Sequence, residues 1–99
     1  MGSFDEALAT YQQAIRLSPN ASANYLGLGA VYEELGRNNE AIAAYKQAIS
    51  LNNKSRSAHL ALGKLYLKIG DKEAAIDVYK KLKLINEKAA NELYNLIYK

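Results

Sequence analysis

Tyr11, Tyr45 and Tyr79 stand 34 positions apart, and the sequence around each repeats itself: EALATYQQAIRL, EAIAAYKQAISL and AAIDVYKKLKLI. Ala7, Ala41 and Ala75 keep the same interval, as do Gly2, Gly36 and Gly70, and Leu28, Leu62 and Leu96. Gly29 pairs with Gly63 and Tyr32 with Tyr66 in the same way. A period of this length describes a unit too small to bury its own apolar face, so the chain must fold by stacking units on one another.

Within each period apolar residues recur at three and four rather than at two, which predicts amphipathic helices. Tyr25, Leu28, Val31, Tyr32 and Leu35 form one stripe over Ser22 to Leu35, and Gly36 stops that helix by accepting a left-handed conformation. A second helix is predicted from about Asn39 to Leu51, with Ala41, Ile42, Tyr45, Ala48 and Ile49 inward. The pair returns at Arg56 to Ile69, stopped by Gly70, and at Lys72 to Ile85, with Asp71 as N-cap. Before them a lone second helix covers about Phe4 to Leu17, opened by a capping box at Ser3 to Glu6. After them Asn86 caps a last helix, about Glu87 to Tyr98. The expectation is six helices: a half unit, two whole units and a half unit.

The residues on this beat carry a resemblance. Tyr25, Leu28, Gly29, Tyr32, Gly36, Ala41, Tyr45 and Ala48 in the first whole repeat, and His59, Leu62, Gly63, Tyr66, Gly70, Ala75 and Tyr79 in the second, resemble the tetratricopeptide repeat pattern over essentially the whole chain. The resemblance implies an all-α, right-handed superhelical solenoid of antiparallel helix pairs. It implies one domain, residues 1–99, divided into 1–21 (second helix of a partial repeat), 22–55, 56–89 and 90–99 (terminal capping helix). The small residues have a physical reason: larger side chains at Gly29 and Ala41, or at Gly63 and Ala75, would overpack the contact between paired helices at a cost of about 1 to 3 kcal/mol.

Departures from the pattern are informative. Proline ends a second helix only at Pro19; Asn53 and Glu87 occupy the other two places. Leu82 replaces the alanine seen at Ala14 and Ala48, and Ile97 replaces the glycine seen at Gly29 and Gly63. Ile97 would obstruct a helix packed as in the earlier units, so the final helix is expected to cap the array, whereas the chain begins in mid-repeat.

Few groups that do chemistry are present. Cysteine is absent, so there is neither a disulfide framework nor a thiolate metal site, and a reducing compartment is tolerated. The expected location is cytoplasmic. No apolar run approaches the roughly 20 residues needed to span a bilayer, and MGSFDEALATY has neither half of a signal peptide. His59 is the sole histidine and falls where the pattern puts a large apolar residue, which predicts a packed or rim-exposed core histidine. Glu73 and Asp77, at i,i+4, read as a solvated pair. No phosphate loop, nucleophile elbow or metal-ligand spacing occurs, so neither catalysis nor a cofactor is expected. Asn20-Ala21-Ser22 and Asn53-Lys54-Ser55 match glycosylation acceptors formally, but they lie in inter-repeat turns where Asn and Ser serve as caps.

Function is expected in a concave groove, which the resemblance assigns to the first helices. The matching positions are Ala23, Leu26, Gly27, Ala30, Glu33 and Glu34, then Ser57, Leu60, Ala61, Lys64, Leu67 and Lys68, then Asn91, Tyr94 and Asn95. The family's clamp for a C-terminal carboxylate would fall on Leu26, Ala30, Ala61, Asn91 and Asn95, where the cations are missing. Charge is polarised: three basic and five acidic residues up to Asn53 give −2, and ten basic and five acidic from Lys54 onward give +5, together the net +3. The expected partner is therefore a protein or peptide with an apolar or acidic segment, drawn to Lys64 and Lys68. Two alternatives stand beside it: self-assembly into a weak homo-oligomer through Ala7, Tyr11 and Ala14 at one end and Leu93, Tyr94, Leu96, Ile97 and Tyr98 at the other, or an engineered repeat protein. Nucleic acid is disfavoured because the groove lacks regular base-reading side chains.

Overall fold

The computed structural model describes residues 3–99, and all regular structure among them is helical. The order is α1 (Ser3–Leu17), α2 (Ser22–Glu34), α3 (Asn38–Leu51), α4 (Arg56–Lys68), α5 (Lys72–Ile85) and α6 (Glu87–Ile97). The six expected helices are all present, each boundary within one residue of the periodicity. The fold is all-α, built from paired helices that return on the sequence beat.

The helix stops work as glycine allows. Gly36 has φ 76° and Gly70 φ 88°, both left-handed. Gly36 N–H donates to Glu33 O at 3.0 Å and Arg37 N–H to Tyr32 O at 2.8 Å, so α2 ends with two of its last carbonyls satisfied. Gly70 and Asp71 repeat the arrangement on α4, donating to Leu67 O and Tyr66 O.

The starts are less uniform. Asp71 Oδ1 accepts from Ala74 N–H at 3.1 Å and Asn86 Oδ1 from Ala89 N–H at 2.9 Å, as expected. Ser55 caps α4 through Ala58 N–H. Ser22 does not cap α2: the cap position is Ala21, which makes no side-chain hydrogen bond. The Ser22 hydroxyl instead donates to Ala48 O in the last turn of α3, at 2.9 Å. Ser3 is already helical, so the position that would cap α1 lies outside the described residues and the capping box is not placed as read.

The chain divides into two compact units, the first ending at Asn53 and the second running Lys54–Lys99. This boundary is also where the charge changes sign. In the first unit Leu28, Gly29 and Val31 of α2 are buried, as are Ala41, Ala44, Tyr45 and Ala48 of α3. Gly29 is small for a reason: a Cβ there would lie 2.5 Å from the Tyr45 ring. Helix α1 packs on α2 but has no buried residue.

The second unit packs α4, α5 and α6 around Leu65, Leu82 and Leu93, all fully buried. Each contributes about 1.5 to 3 kcal/mol by leaving water. Gly63 differs from Gly29 in its neighbour, since an added Cβ there would meet Leu93 of α6 at 2.6 Å and Val78 at 3.3 Å rather than a tyrosine. Tyr79, the positional equivalent of Tyr45, lies against Tyr94 of α6, with ring centroids 5.5 Å apart. Ile97 is buried within this unit, and Leu82 fills the place of the smaller alanine.

Candidate partner-binding surface

Each first helix buries one stripe and leaves another at the surface. On α2, burying Leu28 and Val31 turns Ala23, Leu26, Gly27, Ala30, Glu33 and Glu34 toward the other side of the helix. Ala23, Ala30 and Glu34 are exposed, and Leu26, Gly27 and Glu33 half-buried. Two of the six are already engaged within the unit. The Tyr11 ring of α1 lies over Gly27, where a Cβ would collide with it. Glu33 Oε1 accepts a 2.8 Å hydrogen bond from the Tyr45 hydroxyl. Burial raises the Tyr45 pKa, and the hydrogen bond to Glu33 and the charges of Glu33 and Glu34 push it further, beyond the usual phenol range.

In the second unit α4 and α6 pack together and bring their stripes side by side. Ser57, Lys64 and Lys68 of α4 are exposed, with Leu60, Ala61 and Leu67 half-buried beside them; Asn91, Tyr94 and Asn95 of α6 are exposed. A cleft of about 410 Å³ opens between the two helices, lined by Arg56, Ser57, Leu60, Lys88, Ala89 and Glu92. Ser57 and Leu60 are the groove positions that line this cleft. Lys64 is paired, its Nζ 3.0 Å from Glu92 Oε2 across the helix contact. Both side chains are about half exposed, so the pair fixes geometry more than it stabilises, contributing about 0 to 1 kcal/mol.

Arg56, Lys88 and Glu92 did not emerge from the repeat pattern. The signal lay in the helix register: Lys88, Glu92 and Asn95 are spaced at four and three, so the α6 stripe that contains Asn91 and Asn95 extends one turn back to Lys88. Arg56 likewise adjoins Ser57 at the start of α4. A second cleft, of about 360 Å³, is lined by Lys54, Arg56, Leu84, Ile85 and Asn86, so Arg56 borders both.

Tyr94 belongs to an aromatic row on α5 and α6. Its ring lies 5.5 Å from Tyr79 and 4.8 Å from Tyr98, and Lys72 Nζ sits 5.1 Å over the Tyr98 ring. Tyr94, Leu96 and Tyr98 remain at the surface.

His59 is 3% exposed. Its Nδ1 lies 2.8 Å from Ser55 O; a carbonyl only accepts, so Nδ1 carries the proton. Of the two placements expected from the repeat, packed or at the rim, the histidine takes the packed one. Among the described residues, no group of three or more His, Asp and Glu could hold a metal ion, and no helix is long and apolar enough to cross a membrane.

A family model described as TPR repeat matches residues 1–36 and 33–70, and one described as tetratricopeptide repeat matches residues 57–88. Among solved structures, the chain is similar to MamA, with 32% identity and a TM-score of 0.80 over 98% of this chain and 58% of that one. It is similar to TTC0263, a thermophilic TPR protein of Thermus thermophilus, with 30% identity and a TM-score of 0.86 over 98% of this chain and 49% of that one. The chain therefore spans about half the length of these relatives. The TPR2B domain of yeast Sti1, solved as a complex with pHsp70, shares the fold at a TM-score of 0.88 over 98% of this chain and 82% of that one, with 19% identity. No curated protein matches the chain.

Proposed function

This chain belongs to the tetratricopeptide repeat family, and from that premise we propose that it is a non-catalytic protein-interaction module that binds a peptide segment of a partner. The observation that carries the reading is the cleft between α4 and α6, whose apolar floor is Leu60 and whose rim is polar. Clefts with an apolar centre and a few placed polar groups are where ligands gain both desolvation and orientation. The stripe of Ala23, Leu26 and Ala30 on α2 offers the first unit a further apolar contact strip. The complex of the Sti1 domain with pHsp70 supports the reading by fold: helices in this arrangement can present a face to another protein.

The mode of binding differs from capture of a C-terminal carboxylate. Positions Leu26, Ala30, Ala61, Asn91 and Asn95 carry no cation, so a terminal carboxylate has no charge partner there. Side-chain contacts along an internal segment fit this surface better.

A peptide array probed with the wild-type chain and with Leu60→Glu tests the reading. Peptides captured by the wild type should be lost on Leu60→Glu, with helix content by circular dichroism unchanged because Leu60 is only half-buried. Capture that persists at the same strength on the variant would remove the cleft as the binding site.

A second reading, self-assembly, rests on a comparison inside the chain. Ala41, Tyr45 and Ala48 are buried, whereas Ala7, Tyr11 and Ala14, the same residues one period earlier, are only half-buried. Phe4 and Leu17 on α1 and Leu96 and Tyr98 on α6 are exposed as well. Light scattering after size exclusion decides: a mass that climbs with concentration favours assembly, and a constant monomer mass excludes it.

A further inference from the structure

The two clefts of the second unit meet at Arg56, and their charge is unbalanced. Lys64 is occupied by Glu92, which leaves Arg56 and Lys88 as the cations of the α4–α6 cleft with no ion-pair partner among the described residues. They stand on opposite helices of the cleft, at the starts of α4 and α6, with Leu60 and Ala89 on the floor between them. The unit as a whole carries ten basic and five acidic residues.

We propose that the α4–α6 cleft recognises an acidic internal segment, with a side-chain carboxylate received by Arg56 and Lys88 and a neighbouring aliphatic side chain seated on Leu60. The proposal rests on the peptide-binding reading above and names its partner chemistry. Arg56 supplies a planar fork suited to a carboxylate, and Lys88 a point charge facing it from the other helix. Glu92 lines the cleft and is paired with Lys64, so the acidic segment meets cations at the helix starts and not at Lys64, where the repeat pattern alone directs it. Glu92 also gives the site discrimination: it repels a carboxylate placed beside it while leaving one between Arg56 and Lys88 favoured.

The test uses two fluorescein-labelled peptides of about twelve residues, capped at both ends so that no terminal carboxylate is present, read by anisotropy at low and high salt. One carries Asp-Leu-Glu units in a glycine-serine frame and the other the isosteric Asn-Leu-Gln units. The acidic peptide should bind at least about tenfold more tightly, and Arg56→Glu with Lys88→Glu should cost at least about tenfold, because rim charges in a cleft set both encounter and register. Lys80→Glu with Lys81→Glu, the same change of charge on exposed α5 residues, should cost less than about twofold. Arg56→Gln with Lys88→Gln should fall between, guarding against a repulsion introduced by the new acids.

Equal losses in the two double Glu variants would overturn the proposal, since the attraction would then be to overall charge. Equal binding of the two peptides, both lost on Leu60→Glu, would overturn it while leaving the cleft as a peptide site. If neither peptide binds the wild type, the acidic segment is overturned, and the array with Leu60→Glu still decides the cleft independently.

Discussion

The Tyr45 hydroxyl donates to Glu33 Oε1 at 2.8 Å, joining α3 to the stripe of α2 that the repeat pattern assigns to ligand binding. Tyr45 is 3% exposed and packs on Gly29, so one side chain both fills the repeat and holds an acidic residue at its surface. The carboxylate is thereby part of the fold of the first unit, and its availability to a partner competes with Tyr45.

This link has a pH signature. The Tyr45 pKa in the folded chain lies above its ordinary value of 10, so the folded state holds the phenol proton more tightly than the unfolded state does. The stabilisation is fully present below pH 10 and is lost as pH rises through the folded pKa. Tyr45→Phe should lower stability near neutrality by about 1 to 2 kcal/mol through loss of the charge-assisted hydrogen bond. The gap between wild type and variant in urea denaturation should narrow above pH 10; a gap that widens there contradicts the assignment.

The glycines should separate by the freedom of the ring they face. Gly29→Ala places a methyl 2.5 Å from a buried Tyr45 ring and should cost about 1 to 3 kcal/mol. Gly27→Ala meets the far end of the half-buried Tyr11 ring, which can swing away, and should cost less. Chemical denaturation of the two variants side by side checks the order.

Two nearby leucines on α5 should behave oppositely. Leu82 is fully buried, and Leu82→Ala should cost about 2 to 5 kcal/mol. Leu84 is 89% exposed, and Leu84→Ser should stay within about 0.5 kcal/mol of the wild type. Similar losses at both positions would mean that Leu84 is covered in solution.

The side-chain caps of the second unit should matter individually. Asp71→Ala and Asn86→Ala each remove the acceptor for one backbone N–H and should lower stability by about 0.5 to 2 kcal/mol. Ala21→Ser, at a start that has no side-chain cap, tests the converse and should stabilise where the new hydroxyl reaches the second or third helical N–H. Thermal melting of the three variants reads both effects.

The 34-residue interval by itself determined the six helices, their pairing and their stops, because periodicity, glycine and capping chemistry act over a few residues and are written locally. It also marked His59 as a packed or rim-exposed core histidine, since the repeat gives that position to a large side chain, and the structure buries it. Tertiary structure alone decided which of the stripe residues are spoken for. Lys64 reads as a free cation until α6 sets Glu92 3.0 Å from it, and Gly27 reads as open floor until Tyr11 covers it. It decided too that Leu93, not Tyr79, would pack on Gly63, which releases Tyr79 to its row with Tyr94. Such pairings join residues on different helices, and their partners follow from how the helices are turned against one another, a property no local pattern records.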